Sequence, residues 1–245
     1  MLDVSLFRQP AFVGVQLATF CIGAGMFALF PYLSIYLQDI DKNSPLGAGL
    51  RFLPITVFVF FVPLATRRLA ARIPLWVILS ASLGVVALGL LLLELVSVGS
   101  SWTVLLPGFI VCGIGIGLAN PTIAGAALRV VDPARSGMAS GISNTCRIGG
   151  LALGVAAFGV LLQQRVGSHL SAAGHPSKAL AVAVSSSGLR AAKGRPSLIP
   201  VANAAFVSGF RLMLLVGCLT VLAGAIAALL VRRRSQPAAA AGKPV

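Results

Sequence analysis

One arginine in an otherwise small and apolar segment is the side chain of this sequence best placed to do chemistry. Residues 137–154 read GMASGISNTCRIGGLALG, and Arg147 lies where this polar, glycine-rich stretch enters an apolar run that ends near Leu162. A guanidinium so close to a bilayer is costly unless it faces a partner or a watery cavity, so it marks a candidate functional site. Small neighbours such as Gly150 and Gly154 allow membrane helices to approach closely. We therefore predict a tightly packed helix that presents one charge to an interior path.

Four further polar side chains extend this predicted substrate path. Asn144 lies in the same stretch as Arg147, and Asn120 lies in another apolar segment directly before a proline. Tyr36 and Gln38 place a polar-tipped ring and an amide in the outer half of the first apolar segment. A cavity that accepts drugs uses such mixed surfaces, but anchoring of tyrosine at the membrane interface explains this pair equally well.

Glycines and a proline in the segment 103–127 indicate packing and bending. Gly113 and Gly117 lie on one helical face, where their small size allows a close neighbour. A dinucleotide-binding fingerprint is excluded, because Leu118 stands where its third glycine belongs. Pro121 removes one backbone hydrogen bond, and the resulting kink is a candidate hinge for alternating access.

No arrangement of residues in the chain predicts an enzyme. The sequence has no G-x-S-x-G, no phosphate-binding loop and no His inside an apolar segment. The four Cys residues have no C-x-x-C spacing, and His169 and His175 are too few ligands for a metal site. We therefore predict no catalytic residue, no metal and no cofactor.

Composition and charge place the chain in a membrane. Hydrophobic residues make up 58% of the 245 residues and charged residues only 10%, with a mean hydropathy of +0.98, whereas soluble domains are roughly 25% charged. The net charge of +14 does not predict nucleic-acid binding, because most basic residues lie in short loops between apolar segments. Continuous apolar runs without a period of two argue against a β-barrel. The predicted fold is an all-α membrane bundle.

Six segments are long enough to cross a bilayer, which requires about 20 mostly apolar residues. These are 11–38, 46–66, 74–96, 103–127, 140–163 and 204–231. The predicted organisation is a cytoplasmic lead (1–10), a five-span part of the bundle (11–163), an exterior flexible loop rich in Ser, Ala, Gly and Pro (164–203), the last span (204–231) and a cytoplasmic disordered tail (232–245).

The distribution of basic residues predicts that both termini are cytoplasmic. In that orientation most Lys and Arg residues fall in the inside segments, and the two short outside loops contain only Lys42. The segment 164–203 weakens the asymmetry, because it carries five basic residues and no acid on the predicted outside. Lys and Arg residues nevertheless remain more numerous on the predicted inside than on the predicted outside.

Several short motifs together resemble a known transporter family. The pattern G-x-A-S-G-x-x-N-x-x-R-x-x-G-x-x-x-G at 137–154 is similar to the start of the next-to-last span in the 14-span drug:proton antiporter branch (EmrB/QacA type) of the major facilitator superfamily. LFRQPAFVG at 6–14, SPLGAGLRFLP at 44–54, GIGIGLANP at 113–121 and AFVSGFR at 205–211 resemble other segments of that branch in the same order. The resemblance covers only the last six spans, so it implies a C-terminal half or fragment.

This chain departs from the family pattern in two ways, and both concern charged residues. Where the superfamily's cytoplasmic loop often reads R-L-A-D-R-x-G, this chain has Ala71 and Pro74, which removes the carboxylate of a charge latch. Glu94 is the only acid inside a predicted span, and contact with headgroups or water near the outer end explains it. Arg51 and Arg211 also lie near predicted outer ends, from which they can reach the headgroups. In the resembled branch the coupling acids lie mostly in earlier spans.

The resemblance implies a multi-pass transporter of the cell membrane that exports drugs or other amphipathic compounds by proton antiport. Its expected partners are the lipid bilayer, a small amphipathic substrate, and a missing N-terminal half or a second copy, because one wall of a cavity cannot alternate access. The alternative is a non-transporting membrane protein, either an inactive truncation product or an assembly partner of a missing N-terminal half.

Overall fold

The computed structural model shows an α-helical protein and describes residues 6, 8–40, 43–70, 72–97, 100–129, 136–173, 178–188 and 198–235. Within these ranges there is no β-strand, which confirms the all-α prediction. The helices are α1 (Pro10–Gly25), α2 (Phe30–Ile35), α3 (Pro45–Arg51), α4 (Leu53–Ala70), α5 (Leu75–Leu93), α6 (Leu106–Arg129), α7 (Ser136–Ala172), α8 (Lys178–Ser187) and α9 (Ile199–Ser235).

Six stretches of the described chain are long and apolar enough to cross a membrane. They are Pro10–Asp39, Pro45–Thr66, Leu75–Leu93, Trp102–Leu128, Ser136–Ala172 and Ile199–Leu230. Each overlaps one segment that the sequence predicts. We refer to them as the first to sixth spans.

A proline divides the first span into several helical pieces. After α1 ends at Gly25, a 3-10 turn (Phe27–Leu29) precedes α2, which carries Pro31 in its first turn. Pro31 has no amide hydrogen, so the regular helical bond to the carbonyl four residues earlier is missing. A π-helical turn (Tyr36–Ile40) then ends the span. The sequence predicts one apolar segment here, in which Pro31 is a candidate kink.

The structure differs from the predicted flexible loop over 164–203, since helix covers much of its described part. Helix α7 continues to Ala172, and it buries Val166 and Leu170, which lie one turn apart. Helix α8 buries Ala181 and Val184. The sequence predicts a loop because Ser, Gly and Pro residues dominate the composition of this segment, although its apolar pairs have helical spacing. The exterior location of the segment stays a prediction.

The predicted end of the last span also shifts. Helix α9 continues to Ser235, past the predicted end at residue 231, because no Gly or Pro lies between 231 and 236 and basic residues favour a helix C-terminus. The rest of the predicted tail, 236–245, lies outside the described residues. The same holds for most of the predicted lead 1–10 and for Lys42, Ala71 and His175.

Packing is uneven across the bundle. Helix α1 contacts both α7 and α9, α5 contacts both α6 and α9, and α4 contacts mainly α6. The most apolar part of the first span is 67% buried, whereas the corresponding parts of the second and fifth spans are only 11% and 22% buried. The exposed face of α4 is apolar and includes Phe60, Phe61 and Leu64. The second and fifth spans therefore have broad faces that the described part of the chain does not cover.

The four glycines predicted to pack lie at helix crossings. Gly150 and Gly154 lie against α1, and Gly113 and Gly117 lie against α4. A Cβ atom on Gly113 would lie 2.7 Å from the carbonyl oxygen of Ile55, closer than side chains tolerate. Each glycine thus lies where two backbones approach closely.

Candidate functional site

A cavity of about 170 Å³ lies between α1, α6 and α7, close to the beginning of α7. Apolar side chains of α6, including Ile123 and Ala127, form part of its wall. Its polar lining consists of Thr19, Asn120, Ser140, Ser143, Asn144 and Arg147. An apolar bundle thus concentrates six hydrogen-bonding side chains at one place, where a substrate with polar groups could be held.

Helix α7 supplies the cation of this cavity and a hydrogen-bond partner for it. Arg147 Nη2 donates to Asn144 Oδ1 at 2.7 Å. The two residues lie three apart on one helical face, so the amide fixes the direction of the guanidinium. Asn120 of α6 lines the same cavity. The structure therefore brings together three of the five residues predicted for the substrate path.

Helix α1 contributes two polar side chains that the sequence analysis missed. Gln16 is 4% exposed, and its Nε2 donates to Ser143 Oγ at 3.0 Å. Its buried Oε1 has no hydrogen-bond partner among the described residues. Thr19 lies about one turn further along and lines the cavity. A buried amide in the apolar run PAFVGVQLATF is the signal that could have drawn attention to them.

The other two predicted path residues lie apart from this cavity. Tyr36 is 2% exposed and its ring stacks on Phe210, with centroids 5.4 Å apart. Gln38 Nε2 donates to Ser34 Oγ, one turn earlier in the first span, at 2.8 Å. The structure therefore separates this pair from Arg147.

The candidate hinge lies beside the cavity. Pro121 follows Asn120 directly, and α6 continues through it as a helix. Because Pro121 has no amide hydrogen, it donates no helical bond to the carbonyl of Gly117, and Thr122 Oγ1 donates to Leu118 O at 2.6 Å nearby. Bending at this point would move Asn120 relative to Arg147.

The charges of the described residues fall into separate regions. Arg147 is the only charged side chain among those that line the cavity. Glu94, at the end of α5, instead contacts Arg211 of α9, with Oε1 3.7 Å from Nη2. The guanidinium of Arg51 lies over the ring of Trp102 at 5.0 Å. The cavity is therefore electropositive, and its chemistry is hydrogen bonding and charge attraction.

Comparison with known proteins identifies a family. A model of the Major Facilitator Superfamily matches residues 3–155, more than half of the chain. The multidrug resistance protein Stp of Mycobacterium tuberculosis (strain H37Rv) is 33% identical over 66% of this chain and 30% of its own length. The multidrug efflux pump LfrA of Mycolicibacterium smegmatis is 29% identical over 92% of this chain and 46% of its own length.

A third relative is named for resistance to a single compound. The methylenomycin A resistance protein of Streptomyces coelicolor is 29% identical over 64% of this chain and 33% of its own length. The matched regions thus cover 30% to 46% of the length of these three relatives, so the chain spans less than half of each.

Proposed function

Because the chain belongs to the major facilitator superfamily and is a multi-pass membrane protein, we propose that it forms one six-span half of a transporter that exports drugs or other amphipathic compounds. The observation that carries the proposal is the cavity that Arg147, Asn144 and Asn120 line together. The multidrug resistance and efflux functions in the names of Stp and LfrA support the choice of cargo.

The uncovered helix faces support a second half. In transporters built from repeats, two bundles flank a central site and rock around it. The second and fifth spans bury only 11% and 22% of their most apolar parts within this chain. On α7 the exposed residues near the cavity include the polar and small residues Ser140, Gly141 and Thr145. A second bundle against these spans would close the cavity on its open side.

In this proposal Arg147 and the two asparagines bind polar groups of the cargo, and the apolar α6 wall binds its hydrophobic part. Bending at Pro121 shifts Asn120 while α7 stays in contact with α1. Proton coupling is assigned to acids of the other half, because the described lining of this cavity contains no carboxylate.

The order of the sequence motifs supports a more specific assignment within the family. We propose that the chain corresponds to the C-terminal half of a 14-span proton antiporter in the cell membrane, with both termini in the cytoplasm. Under that orientation the Arg147 cavity opens toward the cytoplasm, where an exporter takes up its cargo. Cysteine accessibility at the ends of α5 and α7 would test this orientation.

Expression of this chain alone is expected to give no efflux, since one wall cannot alternate access. A chimera in which the chain replaces the matching region of LfrA is expected to export. The measurement is ethidium efflux from a bacterial host without its own pumps, with intact LfrA and empty vector as references and membrane fractions blotted for expression.

Either of two results would contradict this proposal. One is efflux from the chain alone, which would mean that a second copy completes the transporter. The other is a chimera that is inserted at the level of LfrA but exports no more than the empty vector, which would favour a non-transporting protein.

A further inference from the structure

A second, larger cavity of about 420 Å³ lies between the end of α5, the outer part of α7 and α9. Its polar lining comes from Ser97, Arg165, Ser208 and Arg211. None of these residues lines the cavity around Arg147. The two sites lie at different ends of α7, and the transport proposal does not use this second one.

The charges around this cavity do not balance. Arg211 is half exposed and contacts Glu94 at 3.7 Å. Arg165 contacts no acid among the described residues. The sequence from 164 to 203 contains no Asp or Glu either. Two guanidinium groups therefore face one carboxylate, and the site has a net attraction for an anion.

Helix geometry places these arginines at the level of lipid headgroups. Along α7, Arg165 lies 18 residues beyond Arg147, or about 27 Å at 1.5 Å per residue. Along α9, Arg211 lies 21 residues before Arg232, or about 32 Å by the same rise. Both separations match the roughly 30 Å thickness of the hydrocarbon core. With Arg147 and Arg232 near the cytoplasmic boundary, as in the orientation proposed above, Arg165 and Arg211 lie at the opposite boundary of the bilayer, at the level of lipid phosphates.

The rest of the cavity suits an acyl chain. Leu212 and Leu215 of α9 line it, and Leu215 lies one turn from Arg211 toward the bilayer interior. Gly209 lies where α7 and α9 approach closely, because a Cβ atom at this position would lie 2.6 Å from Cδ1 of the buried Leu162 and 3.4 Å from the Cβ of Arg165. The cationic groups are thus held beside an apolar surface.

We propose that this cavity binds one anionic phospholipid, with its phosphate between Arg165 and Arg211 and an acyl chain along Leu212 and Leu215. Guanidinium groups bind phosphate oxygens through paired, charge-assisted hydrogen bonds. The hydroxyl of Ser208 supplies a further donor. Glu94 orients Arg211 and at the same time weakens the attraction for phosphate.

Native mass spectrometry of the full chain in detergent tests this site. The protein is titrated with phosphatidylglycerol and, separately, with phosphatidylcholine of identical acyl chains. We expect phosphatidylglycerol to bind about tenfold more tightly, because phosphatidylcholine carries the same phosphate together with a quaternary ammonium that the two guanidinium groups repel. Arg165→Gln and Arg211→Gln should each remove most of this preference. Arg51→Gln is the matched control, because it removes the same charge from the second span without touching the cavity.

Glu94→Gln provides a test of opposite sign and remains informative if an arginine variant does not fold. Removing the competing carboxylate should tighten phosphatidylglycerol binding about threefold and leave phosphatidylcholine binding unchanged. The proposal would be overturned by no preference for phosphatidylglycerol, by an equal loss of preference in Arg51→Gln, or by weaker binding in Glu94→Gln. Displacement of the lipid by millimolar inorganic phosphate would also overturn it, since the site would then recognise a free anion without an acyl chain.

Discussion

Replacement of Arg147 by Gln is expected to lower the rate of export by about ten- to a hundredfold in a transport-competent form of the protein, with unchanged amounts in the membrane. Hydrogen bonds to a charged group contribute about 1.5–3 kcal/mol, which corresponds to this range of rates. The LfrA chimera described above, assayed by dye efflux, is a suitable background.

The expected loss follows from the position of the guanidinium. Arg147 is the only charged side chain that lines the described cavity, and Asn144 Oδ1 accepts a hydrogen bond from it at 2.7 Å. Glutamine keeps part of the length and some hydrogen-bonding capacity but removes the charge. Lysine keeps the charge and loses the planar fork of donors, so Arg147→Lys should retain more activity than Arg147→Gln.

A matched control separates the site from a general effect of charge. Arg51→Gln makes the same chemical change at a residue that lies over Trp102, away from the cavity. We expect its export rate to stay within about twofold of the parent, because Arg51 is not among the residues that line the cavity. Equal export by Arg147→Gln and the parent, at equal expression, would remove Arg147 from the substrate path.

The spans could be predicted because the signal for them is local. A bilayer requires long apolar runs, and each of the six predicted segments overlaps a span of the structure. Within the first span, Pro31 predicts a kink, but the 3-10 turn before it and the π-helical turn after it could not be located in the same way. Its pieces are apolar throughout, and the break at Pro31 depends on a single missing amide hydrogen.

The cavity could be predicted only in part, because it depends on contacts between distant segments. The glycine-rich stretch around Arg147 predicts a charged, closely packed helix, and Asn144 lies in the same stretch. That Gln16 of α1 reaches Ser143 of α7, 127 residues away, follows from helix packing and not from spacing in the sequence. Tyr36 illustrates the converse, since a residue suited to a cavity stacks on Phe210 instead.

Gly150→Val is expected to lower the free energy of unfolding by about 1–3 kcal/mol, as is typical of overpacking. A Cβ atom on Gly150 would lie against the carbonyl oxygen of Phe20 and 3.2 Å from the backbone nitrogen of Ala24. Backbone atoms cannot rotate away as a side chain can, so α1 and α7 must separate. The same separation would pull Thr19 away from the polar residues of α7, so transport should fall as well.

Gly149→Val is the matched control, because it makes the same change at the next residue of the same helix. A Cβ atom on Gly149 meets no described residue within 4 Å, and valine favours a helix more than glycine does. We expect the stability of this variant to equal or exceed that of the parent. The measurement is unfolding of the purified chain in mixed micelles with increasing dodecyl sulfate, followed by tryptophan fluorescence. Equal destabilisation at both positions would mean that valine disturbs helix α7 itself. The prediction that the close approach of α1 makes Gly150 special would then be wrong.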